Sequence, residues 1–293
     1  MDLISVSSLT DAQLSRLFAD AQDYASDRNA GRGRLAGRTV FNCFYENSTR
    51  TAMSFAQAAA RLGAQAITLS VEHSSVKKGE TLADTARTLG AMGPDALVLR
   101  HRQNGAADEV AALVDCPVVN AGDGTNEHPT QALLDALTLQ QHFGTLEGRT
   151  VAIVGDIKHS RVAHSNALLL PRLGATVRVA GPPALLPADT QSHAIDEAID
   201  GADAVMMLRV QRERMDEDLG DAPGEYLRLY GLTMERLALA RPEAVVLHPG
   251  PMNRGVEIAD EVADLAQRSL ILRQVANGVA MRMAVLEMLV SEA

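Results

Sequence analysis

The fold of this chain is constrained most strongly by a repeated alternation between short apolar runs and helical segments. The apolar runs of the first half predict buried strands at residues 39–45, 65–70, 96–100 and 117–120. Helical spacing of apolar residues predicts helices at residues 10–27, 49–63, 81–92, 108–114 and 129–142. Strands that alternate with helices of this length predict a doubly wound α/β fold, in which helices flank a central parallel sheet.

A second series of the same kind begins after a short polar connector at residues 144–149. It predicts strands at residues 150–155, 175–180, 204–208 and 244–247 and a helix at residues 161–173. A length of 293 residues exceeds the usual ~100–200 residues of one domain. We therefore expect a first domain at residues 1–143, a second at 144–277, and an apolar C-terminal helix at 278–293 that returns to the first. Residues 182–203 are rich in proline and aspartate and predict little regular structure.

Composition favours a globular protein of the cytoplasm over several other classes. No apolar stretch approaches the ~18 residues that span a bilayer, and no secretory leader is visible, so we expect no contact with a membrane. The formal charge of −10 disfavours nucleic acid as a partner. Cys43 and Cys116 lack metal-ligand spacing, which favours small buried side chains over a disulfide or a zinc site.

Ser48-Thr49-Arg50-Thr51 follows the first predicted strand and opens a helix. Ligands of parallel sheets bind beyond the carboxyl ends of the strands, and a helix start offers free backbone N–H groups to an anion. Two hydroxyls and a guanidinium at the same point suit a phosphate group. Taken alone, these four residues fit a phosphate site and an ordinary helix cap with a solvated arginine equally well.

One loop is too weak to bind a small anion tightly. A helix start contributes roughly 0.3–1 kcal/mol and a charged hydrogen bond about 1.5–3 kcal/mol, whereas micromolar binding needs ~8 kcal/mol. Several loops must therefore converge. Arg100 ends another predicted strand, and His128 and Gln131 open the helix predicted at residues 129–142, so these three side chains are the expected contributors.

Four segments together resemble the carbamoyltransferase family. They are Phe44-Tyr45-Glu46-Asn47-Ser48-Thr49-Arg50-Thr51, Lys78-Gly79-Glu80-Thr81, Arg100-His101 and His128-Pro129-Thr130-Gln131-Ala132-Leu133-Leu134-Asp135. The match continues in order through the second domain to the C-terminal helix. There, residues 156–161, 209–211 and 248–251 resemble the members of the family that use aspartate as acceptor, whereas relatives that use ornithine carry a cysteine after the last histidine. An acceptor with two carboxylates also suits the paired guanidinium groups of Arg161 and Arg209.

The resemblance implies transfer of the carbamoyl group from carbamoyl phosphate to the amino group of L-aspartate, giving N-carbamoyl-L-aspartate and phosphate in de novo pyrimidine biosynthesis. It implies catalytic roles for Thr51, Arg100 and His128 at the carbamoyl oxygen, with no cofactor and no metal. The implied binding residues for carbamoyl phosphate are Ser48, Thr49, Arg50, Thr51, Arg100, His128, Gln131, Gly250 and Pro251. Those for aspartate are Lys78, Arg161, Arg209 and Gln211.

The resemblance also implies a homotrimer with shared active sites, in which Ser75 and Lys78 reach the site of a neighbouring subunit, and it is compatible with a regulatory chain or a dihydroorotase as partner. Three alternatives stay open. In the first, the acceptor is ornithine or another amine. In the second, the run Val151–Asp156 belongs to a nucleotide-binding oxidoreductase. In the third, the chain is a non-catalytic homologue. The oxidoreductase is the weakest of these, because no G-x-G-x-x-G pattern accompanies the run.

Overall fold

The computed structural model describes residues 1–70, 79–188, 191–210 and 224–292. The chain divides into two compact units. The first unit comprises Met1–Leu137 and Val275–Ala293, and the second comprises Thr138–Gln274. The predicted domain boundaries at residues 143/144 and 277/278 lie a few residues beyond these divisions.

Helices and strands alternate along the described chain as the sequence pattern predicts. The strands are β1 (Thr39–Phe44), β2 (Gln65–Ser70), β3 (Ala96–His101), β4 (Val118–Asp123), β5 (Thr150–Val154), β6 (Thr176–Ala180), β7 (Ala204–Met207) and β8 (Val245–Leu247). The helices are α1 (Asp11–Ser26), α2 (Thr49–Leu62), α3 (Leu82–Gly90), α4 (Ala106–Ala111), α5 (Pro129–Phe143), α6 (Arg161–Arg172), α7 (Ile195–Ile199), α8 (Glu225–Tyr230), α9 (Met234–Leu237), α10 (Asp260–Ala263) and α11 (Ile271–Ser291).

Each unit is built on a four-stranded parallel sheet with its own strand order. The first sheet has the order β2-β1-β3-β4 and the second the order β6-β5-β7-β8. In each sheet, the strand that comes first in sequence, β1 or β5, lies inside the sheet. The next two strands in sequence lie on its opposite sides. With helices flanking both sheets, the predicted doubly wound α/β fold is confirmed.

The cores explain why the strands read as almost continuous apolar runs. In the first unit, Cys43, Leu97, Leu99 and Val118 from three strands pack with buried residues of α3 and α4. In the second, β5, β7 and β8 pack with α7, α9 and α10. Strands buried on both faces need apolar residues at every position, which leaves polar side chains for the strand ends.

Two differences from the sequence prediction have physical causes. Helix α11 begins at Ile271 and passes through Gly278, which the sequence predicts as its first residue. A glycine inside a helix is tolerated, and here packing gives a reason for it. A Cβ at Gly278 would lie 2.6 Å from Nη1 of Arg282. The segment 182–203 contains the short helix α7, whose buried Ile195 and Ile199 join the core of the second unit.

The C-terminal part of α11 belongs to the first unit, as predicted. Glu287 accepts a hydrogen bond from the hydroxyl of Tyr24 on α1 and forms an ion pair with Arg34 at 2.5 Å. None of the helices in the described ranges is long and apolar enough to cross a membrane.

Candidate active site

The candidate site residues of the first unit lie where the connections of the first sheet diverge. β1 is hydrogen-bonded to β2 on one side and to β3 on the other, so the gap between β1 and β3 is the topological switch point. The parallel register pairs Phe44 with Arg100 at the carboxyl ends of these two strands. The loop after β1 and the side chain of Arg100 are therefore neighbours at the place where doubly wound sheets bind ligands.

Ser48 occupies the N-cap of α2 without capping it. Its side chain makes no hydrogen bond to the first turn, and its backbone has φ −153° and ψ 80°. Equivalent serine or threonine residues do cap other helices, through hydrogen bonds from backbone N–H groups to the hydroxyls of Thr10, Thr81, Ser160 and Thr233. The Ser48 hydroxyl therefore does not accept a hydrogen bond from the backbone N–H groups of the first turn of α2, and a bound anion can accept from them instead.

The other residues of this segment differ in exposure. Thr49 and Arg50 are exposed, whereas Thr51 is buried on the inner side of the first turn. This places three kinds of donor at one helix start: backbone N–H groups, hydroxyls and a guanidinium. The arrangement favours the phosphate interpretation over a simple cap, because a simple cap would use the Ser48 hydroxyl.

The guanidinium of Arg100 is held in place by its neighbours. Its Nε lies 3.4 Å from Oε2 of Glu46, and its Nη1 donates to the carbonyl of Ala121 at 3.3 Å. The strand end is tied to the loop by a hydrogen bond from the Tyr45 N–H to the Arg100 carbonyl, at 2.8 Å. A guanidinium fixed in this way meets an anion in a set orientation and loses little freedom on binding.

The adjoining His101 is an imidazole kept neutral by its surroundings. Burial, and to a smaller extent the charge of Arg102, lower the pKa of His101 below its ordinary value. Its ring lies edge-on to Tyr45, with 4.9 Å between the centroids, and Nδ1 accepts the N–H of Gln103. His101 therefore serves as a neutral packing partner of the loop that carries Ser48.

His128 stands directly before α5, on a loop organised by Asp123. Asp123 Oδ1 accepts from the Asn120 amide and the Glu127 N–H, and Oδ2 accepts from the Gly105 N–H at 2.8 Å. The carboxylate of Glu127 in turn accepts the Val6 N–H at 3.2 Å. His128 is buried and points its carbonyl at the Gln131 N–H, 2.9 Å away. The imidazole is therefore carried by a rigid turn.

The role of Asp123 is not among the predictions from sequence. The predicted strand ends at residue 120, whereas β4 continues to Asp123. The signal was present as the pair Asp123-Gly124, which is typical of a turn whose aspartate bonds the backbone that follows.

The candidate site residues of the second unit are arranged in the same way around their own sheet. β5 lies between β6 and β7, and Val154 pairs with Met207 near the carboxyl ends of β5 and β7. The loop after β5 leads through buried Asp156 to Arg161, the first residue of α6. Asp156 accepts the backbone N–H of His159 at 3.1 Å and contacts its ring at 3.0 Å, which shapes the loop.

The two predicted arginines of this unit lie at these strand ends. Arg161 is only 7% exposed although it is a charged residue at a helix start. Arg209 follows β7 by two residues and is half-buried. The register thus brings the segments that carry both cations to the switch point of the second sheet.

Gly250 and Pro251 follow β8 and are joined by a cis peptide bond. Gly250 adopts φ 65°, a conformation that favours glycine, and its N–H donates to Nδ1 of His248 at 2.8 Å. Ser75, Lys78 and Gln211, the other predicted site residues, lie outside the described residues. Within the described parts of the chain, no group of three or more His, Cys, Asp or Glu side chains is arranged to hold a metal ion.

Comparison with known proteins assigns both parts of the chain to one family. Residues 1–141 match the family model of the aspartate/ornithine carbamoyltransferase carbamoyl-P binding domain, and residues 147–289 match that of the Asp/Orn binding domain. The aspartate carbamoyltransferase catalytic subunit of Granulibacter bethesdensis is 54% identical over 98% of this chain and 94% of that protein. The catalytic subunit of Beijerinckia indica is 60% identical over 88% of this chain and 83% of its own length.

Solved structures agree on the fold. Aspartate transcarbamoylase from Trypanosoma cruzi, in complex with carbamoyl aspartate and phosphate, matches with a TM-score of 0.88 and 34% identity over 98% of this chain and 94% of that one. Ornithine carbamoyltransferase from Pyrococcus furiosus matches with a TM-score of 0.89 and 27% identity over 100% and 97%. The backbone is thus shared by enzymes with different acceptors, while the two sequence relatives are named for aspartate. By its sequence and its fold, the chain belongs to the aspartate/ornithine carbamoyltransferase family.

Proposed function

We propose that this chain is an enzyme that transfers the carbamoyl group of carbamoyl phosphate to the amino group of L-aspartate, giving N-carbamoyl-L-aspartate and phosphate. The observation that carries the proposal is the uncapped start of α2 beside Arg100 at the switch point of the first sheet. The names of the relatives in both comparisons support the same reaction.

The phosphate group is bound by Ser48, Thr49, Arg50 and Thr51, with Arg100 on its other side. The backbone N–H groups of a helix start and two guanidinium groups together supply several charge-assisted hydrogen bonds, each worth about 1.5–3 kcal/mol. Several such bonds together supply energy of the order of the ~8 kcal/mol that corresponds to micromolar affinity, which a single loop does not.

Thr51, Arg100 and His128 act at the carbamoyl oxygen. Attack of the aspartate amine on the carbonyl carbon pushes negative charge onto this oxygen, and donors placed there in advance stabilise the tetrahedral intermediate. Collapse of the intermediate breaks the bond between carbon and the phosphate oxygen. Gln131 and the carbonyls of Gly250 and Pro251 hold the carbamoyl NH2 group.

The amine proton leaves on the phosphate rather than on His128. A histidine nitrogen that donates to the carbamoyl oxygen is protonated and cannot accept a second proton. The departing phosphate oxygen gains negative charge as its bond to carbon breaks, and it belongs to the same reacting molecule. Transfer of the proton to this oxygen balances the reaction without an additional base.

Arg161 and Arg209 bind the two carboxylates of aspartate, together with Gln211 and Lys78. Guanidinium groups suit carboxylates and repel the cationic side chain of ornithine. The second sheet thus determines the acceptor. A preference for aspartate follows from charge, since the relatives with the other acceptor share the same backbone.

We further propose a homotrimer in which Ser75 and Lys78 enter the site of a neighbouring subunit, acting in the cytoplasm in pyrimidine biosynthesis. A regulatory chain or a dihydroorotase is a partner compatible with this assembly. The family resemblance of the segment Lys78–Thr81 supports the shared site.

The test is an assay of the purified chain with carbamoyl phosphate and either L-aspartate or L-ornithine, with the particle mass measured in the same buffer. We expect carbamoyl aspartate, little citrulline, and a mass near three times 31.2 kDa. Preferential formation of citrulline would overturn the assignment of the acceptor. An active monomer would overturn the shared site.

A further inference from the structure

In the first unit, the side chain of Gln131 contacts a buried carboxylate, Asp135, whose charge interacts with the buried guanidinium of Arg282. Gln131 and Asp135 are one turn apart on α5, and the side-chain amide of Gln131 donates from Nε2 to Oδ1 of Asp135 at 2.9 Å. Asp135 is fully buried, whereas Gln131 keeps 8% of its surface exposed. The amide therefore lies between the protein interior and the strand-end loops.

The charge of Asp135 acts on Arg282, which lies on α11. It is buried, and desolvation lowers its pKa to about 10 while the charge of Asp135 opposes the shift. It therefore stays protonated at neutral pH. A buried guanidinium of this kind requires an anionic neighbour, so Asp135 is held as a carboxylate.

Arg282 also touches the two helices that open at the site. Its guanidinium carbon lies 5.1 Å from the ring centroid of Phe55 on α2, and Nη2 lies 3.5 Å from Oγ1 of Thr130 on α5. Nη1 donates to the carbonyl of Gly278, the residue whose missing side chain makes room for the guanidinium. The position of Arg282 is thus determined by α2, α5 and α11 together.

A carboxylate accepts hydrogen bonds and donates none. It can therefore meet the Gln131 amide only at its NH2 group, which turns the amide oxygen to the other side. A primary amine such as the NH2 of a carbamoyl group needs an acceptor there. A Gln131 amide rotated by half a turn would present NH2 to NH2 and lose this contact.

We propose that Asp135 and Arg282 are positioning residues, which hold the amide of Gln131 with its oxygen directed at the carbamoyl NH2 group. The inference rests on the proposed function, since it takes carbamoyl phosphate as the ligand. Its consequence is selectivity: the pair lets the site distinguish a carbamoyl group from an acetyl group, which has the same shape but a methyl in place of the amine.

The test compares the binding of carbamoyl phosphate and acetyl phosphate to the intact enzyme by titration calorimetry. In Asp135→Asn, Arg282 attracts the amide oxygen of the new side chain and leaves its NH2 toward Gln131, which then turns round. We expect the affinity for carbamoyl phosphate to fall roughly tenfold, about the value of one hydrogen bond to a polar group, and the affinity for acetyl phosphate to change by less than about twofold.

Gln131→Ala provides a double-mutant cycle. If Asp135 acts through Gln131, the variant Gln131→Ala/Asp135→Asn binds carbamoyl phosphate no more weakly than Gln131→Ala alone. The matched control is Asp203→Asn in the second unit, where a buried aspartate pairs with Arg149 at 2.8 Å. It should lower stability and leave the ratio of the two affinities unchanged.

Wild-type selectivity in Asp135→Asn, or additive losses in the cycle, would overturn the positioning role. If Asp135→Asn does not fold, the double variant Asp135→Leu/Arg282→Met replaces it in the test, because it removes both charges together. We expect the same loss of selectivity in this double variant. A wild-type enzyme that forms no carbamoyl aspartate and binds both phosphates alike would overturn the proposed function and this inference with it. An active, selective wild type beside an equally selective variant overturns the inference alone.

Discussion

His248 and Glu257 form a fully buried pair in the second unit, with 3.1 Å between Nε2 and Oε1. The other ring nitrogen, Nδ1, accepts the N–H of Gly250, so the proton of the neutral ring lies on Nε2 and is donated to Glu257. Glu257 also accepts the Asn253 N–H. The pair thus fastens both ends of the turn that contains Gly250 and Pro251.

We expect Glu257→Leu to leave the buried Nε2–H of His248 without an acceptor and to lower the free energy of unfolding by about 1–3 kcal/mol. The KM for carbamoyl phosphate should rise, because the turn after β8 loses its anchor. Denaturant unfolding and steady-state kinetics measure the two effects. Glu257→Gln is the matched control, since it retains an acceptor oxygen, and equal losses in the two variants would exclude this role.

Ser48→Ala should reduce activity without loss of stability. The Ser48 hydroxyl makes no hydrogen bond to the first turn of α2, so its removal costs the folded chain little. Thr10→Ala is the matched control, because Thr10 forms a capping box with Gln13 on α1. It should lower the free energy of unfolding by ~1 kcal/mol and leave the KM for carbamoyl phosphate unchanged. A stability loss in Ser48→Ala as large as in Thr10→Ala would show that Ser48 is only a cap.

The pH dependence of stability should contain a contribution from His101. Its pKa is lowered from the ordinary value of 6.5, mainly by burial, so below pH 6.5 the unfolded chain binds a proton that the folded chain does not. The free energy of unfolding should therefore decrease as the pH falls below 6.5 and continue to do so down to the pKa of the folded state.

Replacement of this histidine checks the sign. In His101→Asn, the decrease of the free energy of unfolding between pH 7 and pH 5 should be smaller than in the wild type. Glu46, Glu109 and Asp123 oppose the shift without reversing it, and they remain in the variant. Chemical denaturation at several pH values gives the slopes, and identical slopes for the two proteins would contradict this assignment.

The shared site predicts complementation between inactive chains. Mixing equal amounts of Arg50→Ala and Lys78→Ala chains, with verified exchange of subunits, should restore about one quarter of the sites of a trimer, because each restored site takes an intact Arg50 from one chain and an intact Lys78 from its neighbour. Mixing Arg50→Ala with Arg100→Ala is the control. Both arginines lie in one unit of the same chain, so no site should be restored. Equal recovery in the two mixtures would contradict the shared site.

Sequence by itself determined the elements and their order. Apolar runs and helical spacing are local properties, and they placed β1, β2, β3 and α5 within a few residues of their observed bounds. The motif Ser48–Thr51 could be assigned to a helix start for the same reason. Its resemblance to a family supplied the reaction and the site residues, which remain proposals tested by the variants above.

Only the tertiary structure decided which strand ends become neighbours and how the site is supported. Arg100 lies beside the loop of Ser48 because β3, distant in sequence, pairs with β1. The contact of Asp135 with Gln131 is within one helix, but its partner Arg282 comes from α11, 147 residues further along the chain by residue number. Pairings of this kind depend on packing between elements, and the periodicity of a single segment does not contain that information.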